Sequence, residues 1–229
     1  MVLSNKHMRT IFSILLLACS LGLSAQTNKA LRDSLALASD ELAFHPDSID
    51  LRLKKAAWNL QLEQWEYARA EYDYVLKVDN ENIAALYYRA YVNEKLGRYK
   101  FARLDYQNLL TIVPGNFEAS LGLALLNQKN KHYTEALDML NVLCDHNPNR
   151  SEGFAARAGI EAERKMYELA DYDYTQALRI DPANTDYLLS RVDVRLKMNH
   201  KTEARQDLDR LVQLGVSKPT LSKLYKLTK

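Results

Sequence analysis

The chain has 229 residues, of which 47% are hydrophobic and 26% charged, with only 7 Gly and 5 Pro. That balance suits a helix-rich chain with a core and excludes a β-sandwich, which needs many turn residues, and a disordered chain, which lacks apolar residues. The formal net charge of +2 is too small to direct the protein to nucleic acid or to an anionic membrane.

The first expected element is an export leader. Lys6 and Arg9 precede "IFSILLLACSLGLSA", an uncharged apolar run that ends in small residues. This predicts a signal peptide over residues 1–25, cut after Ala25 to leave Gln26 first. The run "LLAC", Leu16 to Cys19, resembles a bacterial lipobox and leaves a second route open, in which Cys19 carries lipid. The first route places the protein in the periplasm. The second makes it an outer-membrane lipoprotein, and only then does it touch a membrane. Removing residues 1–25 takes two of the 31 basic residues and none of the 29 acidic ones, so the exported chain is formally neutral. Cys144 is then the one remaining cysteine, which excludes an intrachain disulfide and leaves packing to hold the core.

Residues 26–47 place Leu31, Leu35, Ala38 and Leu42 on one helical face, which predicts an N-terminal capping helix. From 48 to 217 the chain repeats every 34 residues without an insertion. Ala68, Ala102, Ala136, Ala170 and Ala204 form one column. Trp65, Tyr99, Tyr133 and Tyr167 stand three residues before them, with Lys201 as the exception. Tyr72, Tyr106, Leu140, Tyr174 and Leu208 stand four residues after. Ala56, Ala90, Ala124, Ala158 and Val192 lie twelve upstream, and Pro114, Pro148 and Pro182 close three units. Apolar spacing within each unit predicts two amphipathic helices of about 13 to 15 residues. Alanine belongs where two helices cross closely. The short turns "QLEQW" and "KLGRY" make the two helices antiparallel. Residues 218–229 carry four lysines and no acid, and read as a basic tail or a short capping helix.

These columns resemble the tetratricopeptide repeat family, whose small–aromatic–Ala–aromatic–Pro skeleton appears five times over Asp50 to Ser217. The resemblance implies an all-α fold, a right-handed α-solenoid of antiparallel helix pairs. It also implies a non-catalytic protein-interaction module whose first helices line a concave groove. The groove positions carried over are Leu53, Tyr87, Tyr91, Leu121, Leu125 and Leu189. Tyr87 and Tyr91, one turn apart in "ALYYRAYVNEK", suit a peptide with apolar side chains, although the same rings could simply pack within the stack. A self-associating structural element of an envelope or secretion complex, forming a homo-oligomer, is the alternative.

The charged columns carry a second pattern. Lys55, Arg89, Leu123, Arg157 and Arg191 each stand sixteen residues before Glu71, Asp105, Met139, Asp173 and Asp207. Four copies pair a base with an acid, and the copy that loses one loses both. Joint replacement of a half-buried pair by apolar residues is tolerable, whereas loss of one partner strands a charge. Structural ion pairs Arg89–Asp105, Arg157–Asp173 and Arg191–Asp207 are therefore expected, with Lys55–Glu71 in the first copy.

Chemistry has little support. No HExxH, CxxC, GxSxG or glycine-rich phosphate loop occurs. His132 and His146 fall at opposite ends of one expected helix, too far apart to share a metal. Asp171 and Asp173 point to different faces, and Cys144 sits in an apolar column. No catalytic role, metal or cofactor is expected.

Overall fold

Three-residue turns of one design join the helices of every repeat. The computed structural model describes the backbone of residues 21–229 and the side chains of residues 28–229. Residues 1–20, which include Cys19 and most of the expected leader, lie outside the described residues. All regular structure among the described residues is helical, and contacts gather into two compact units, one reaching to Leu126 and the other starting at Asn127.

In the first unit, α1 (Leu21–Phe44) packs on α2 (Ile49–Gln61), α2 on α3 (Trp65–Val78), α3 on α4 (Ile83–Lys95), and α4 on α5 (Tyr99–Ile112). α6 (Phe117–Lys129) follows and contains the boundary between the units. In the second unit α7 (Tyr133–His146), α8 (Ser151–Glu163), α9 (Tyr167–Ile180), α10 (Thr185–Lys197) and α11 (Lys201–Gln213) each pack on the next. A 3-10 turn, Lys218–Leu221, leads into α12 (Ser222–Leu227), and buried Leu221 pins this end of the chain.

The turn within each pair is a Schellman motif. In the second repeat the amide of Gly97 donates to Glu94 O (3.1 Å) and that of Arg98 to Asn93 O (2.7 Å). This geometry needs a left-handed residue after the helix. Glu63, Gly97, Lys131, Lys165 and Asn199, one per repeat, all have φ between 57° and 74°. Only one of the five is glycine, so the motif is imposed by the packing of the two helices against the ordinary preference of Glu and Lys.

The entry to each first helix is capped by a side chain in four repeats. Ser48, Asn82, Asn116 and Asn184 accept amide hydrogens from the first turn, at 3.4, 3.0, 2.9 and 3.1 Å. Arg150 holds the same position before α8 and makes no such bond. Both alanine columns are fully buried, which lets the helices approach closely.

The tyrosine column couples each second helix to the next first helix, sixteen residues on. Tyr72 stacks on Tyr88, centroids 6.1 Å apart, and Tyr174 hydrogen-bonds with Ser190. Tyr106 fills the space a side chain would take at Gly122: a Cβ there would lie 2.6 Å from the ring.

Candidate functional site

The expected ion-pair residues come together in all four repeats that carry them. Arg89 Nε and Nη2 donate to Asp105 at 3.0 and 2.6 Å. Arg157 does the same to Asp173 at 2.5 and 2.9 Å, and Arg191 to Asp207 at 2.9 and 2.7 Å. In the first repeat Glu71 receives Lys55 at 2.8 Å and Arg52 at 2.9 Å. Two-point bonding to a carboxylate exploits the fixed fork of the guanidinium.

The structure adds two partners that pairing by charge does not identify. The third arm of each arginine reaches the second helix of the preceding repeat: Arg89 Nη1 to Asp73 (2.9 Å), Arg157 to Asn141 (3.0 Å), Arg191 to Thr175 (3.0 Å). Each arginine thus ties three helices. One turn beyond the arginine, a second donor often meets the same acid, as Asn93 meets Asp105 at 3.2 Å and Arg195 meets Asp207 at 2.8 Å. Burial alone would push the Asp105 carboxyl above the ordinary range, and the bonds from Arg89 and Asn93 pull against it. These residues tie the framework: their polar atoms pair with one another across the helices.

The aromatic candidates lie on α4. Tyr87 is half-buried between Tyr88 (5.2 Å) and Tyr106 (6.1 Å), and burial pushes its phenol up. Tyr106 is fixed in turn by donating to Glu94 at 2.9 Å. Tyr91, one turn on, is half-buried and meets the edge of Trp65 at 6.3 Å. The ammonium of Lys95 stands 4.9 Å from the Tyr91 ring centre and 5.7 Å from that of Trp65, within cation–π range. Trp65, Tyr91 and Lys95 therefore form one cluster, while Tyr88, exposed on the same helix as Tyr91, packs on Tyr72 and Tyr87. Trp65 was masked in the sequence by its place in the repeat skeleton; its pairing with Tyr91 is visible only in three dimensions.

Of the other groove positions, Leu53 and Leu125 are half-buried in the same unit, and Leu121 is buried, with 4% of its surface exposed. Leu121 therefore packs within the stack, and Leu125, one turn on, keeps more of its surface open. Leu189 is half-buried on α10 of the second unit.

Among the described residues no group of three or more His, Cys, Asp or Glu is placed to hold a metal. Cys144 is buried, and burial pushes its thiol up to about 11, so it is neutral and unreactive at ordinary pH. No described helix is long and apolar enough to cross a membrane.

No protein-family model and no curated protein matches the chain. Solved structures do. A tetratricopeptide repeat protein from Parabacteroides merdae superposes with a TM-score of 0.70 at 23% identity, covering 91% of this chain and 81% of that one. Pseudomonas aeruginosa pilF gives 0.66 at 22% identity, covering 74% and 77%. YrrB, a TPR protein with an unusual peptide-binding site, gives 0.56 at 18% identity, covering 78% and 92%. The fold is the tetratricopeptide-repeat fold, an all-α array of antiparallel helix pairs.

Proposed function

We propose that this chain is a non-catalytic protein-binding module that takes a peptide segment against the first-helix face of its N-terminal unit. The fold supports an interaction module in general. The observation that carries the peptide reading is the cluster of Trp65, Tyr91 and Lys95. Aromatic rings offer large contact area at little entropic cost, and a lysine over their faces can donate hydrogen bonds to a carboxylate or carbonyl of the partner. The leader pattern at residues 1–25 supports an envelope location, periplasmic after cleavage at Ala25 or membrane-anchored through Cys19.

Panning a random peptide display library on the chain from Gln26 tests this. Selected peptides should bind Tyr91→Ala at least tenfold more weakly, with an unchanged circular dichroism spectrum. Peptides that bind the variant equally well, or none selected at all, would overturn the site. Self-association is a second reading, favoured by the exposed apolar residues Tyr67, Phe101 and Leu104 on α3 and α5. A sedimentation coefficient that stays constant with concentration would remove it.

A further inference from the structure

The fourth repeat breaks a rule that its neighbours keep. One turn after the clip arginine, the second repeat carries Asn93 and the fifth Arg195, and each donates a hydrogen bond to the clip aspartate. The third carries Asn127, which donates to Met139 Sδ at 3.4 Å. In the fourth repeat the position holds Glu161, whose carboxylate form has no hydrogen to give. Glu161 is 6% exposed and Asp173 2%. The Glu161 carboxyl lies within hydrogen-bonding reach of Asp173. Glu161 Oε2 is buried without a hydrogen-bond partner.

The charges around the pair do not balance. Arg157, on α8 itself, is committed to Asp173 through two of its nitrogens and to Asn141 through the third. From α7 the buried Cys144 thiol faces the pair. From α9 come Asp173 and Tyr174, and Tyr174 in turn feels Asp193 of α10. Burial pushes the Tyr174 phenol to about 12 and the thiol to about 11, so both are neutral. Two carboxyls thus face one cation in a site closed to water, where two negative charges are costly.

We propose that Glu161 keeps its proton in the folded protein and donates it in a hydrogen bond to Asp173, so that the α8–α9 pairing is tightest at acid pH and loosens as rising pH removes that proton. With the proton on Glu161, its hydroxyl donates to Asp173 as Asn93 and Arg195 donate in their repeats. Burial, then the Asp173 charge, raise the Glu161 carboxyl to about 8, with Arg157 opposing. An acid raised from 4.5 to about 8 keeps its proton in the folded chain and loses it in the unfolded one between those values. Its contribution to stability is therefore full below about 4.5, falls as pH rises, and is gone above about 8.

Carbon-13 NMR of the chain from Gln26, labelled at glutamate, reads this directly. The Glu161 side-chain carboxyl, assigned through its backbone, should titrate above pH 7; a midpoint below 6 overturns the proposal. Urea unfolding of wild type and Glu161→Gln gives the second measurement, because glutamine donates at every pH. Between pH 5.5 and 7.5 the wild-type folding constant should fall about tenfold per unit relative to the variant. Parallel curves for the two proteins would overturn it. If the variant does not fold, the wild-type titration alone decides.

Discussion

Arg89 and Asp105, sixteen residues apart on facing helices, meet through two hydrogen bonds of 3.0 and 2.6 Å while the third arm of Arg89 holds Asp73. Asp105 is 2% exposed, so removing its cation leaves a charge that water cannot reach. Arg89→Leu should cost about 3 kcal/mol, and the double variant Arg89→Leu/Asp105→Met, the combination that the third repeat carries at Leu123 and Met139, less than about 1 kcal/mol. Burial already pushes the Asp105 carboxyl up, so the single variant should regain part of its loss at acid pH, where that carboxyl is protonated. Urea unfolding of the two single variants and the double variant checks the coupling. Additive losses would mean that the pair does not act as a unit.

Gly122 has no room for a methyl group, because the Tyr106 ring occupies its Cβ position and donates through its hydroxyl to Glu94. Gly122→Ala should destabilise by about 1–3 kcal/mol. Tyr106→Leu in the same chain should relieve the clash, since the third and fifth repeats already carry Leu140 and Leu208 in that column. Thermal unfolding of the two single variants and their combination reads the rescue as a positive coupling.

The N-terminus of α8 lacks the side-chain cap found at α2, α4 and α10. Arg150→Asn restores the residue of Asn82, Asn116 and Asn184 and should add about 1 kcal/mol of stability. Arg150 also bonds half-buried Glu152 at 3.3 Å, an ion pair near the surface whose loss costs little. A rise in the urea midpoint with an unchanged slope is the expected result.

How far sequence reading reached depended on whether a column kept its residue type. The alanine and aromatic columns recur at a fixed period, so the helices, their turns and the all-α class follow from them. The sixteen-residue pairing of Arg89 with Asp105 was readable because both partners change together. The third leg was not: Asp73, Asn141 and Thr175 differ in charge and size and share only an acceptor oxygen. Similarly, the periodic position of Tyr87 and Leu121 does not tell how much of each side chain a neighbour covers. Tyr106 covers part of Tyr87, and Leu121 is buried outright. Sequence periodicity fixes the face of a helix; the depth of a residue on that face depends on the sizes of side chains in other repeats.

The left-handed turn that closes every helix pair has a consequence for how the chain reaches its fold. Its bonds span five residues, the clips span sixteen, and even the contact of Gln128 with Glu163 spans only 35. Chain loops this short are quick to close, and low contact order of this kind goes with folding in microseconds to milliseconds. Each pair can form from what lies beside it in the sequence. The protein can therefore assemble from its N-terminal end while the rest of the chain is still being released.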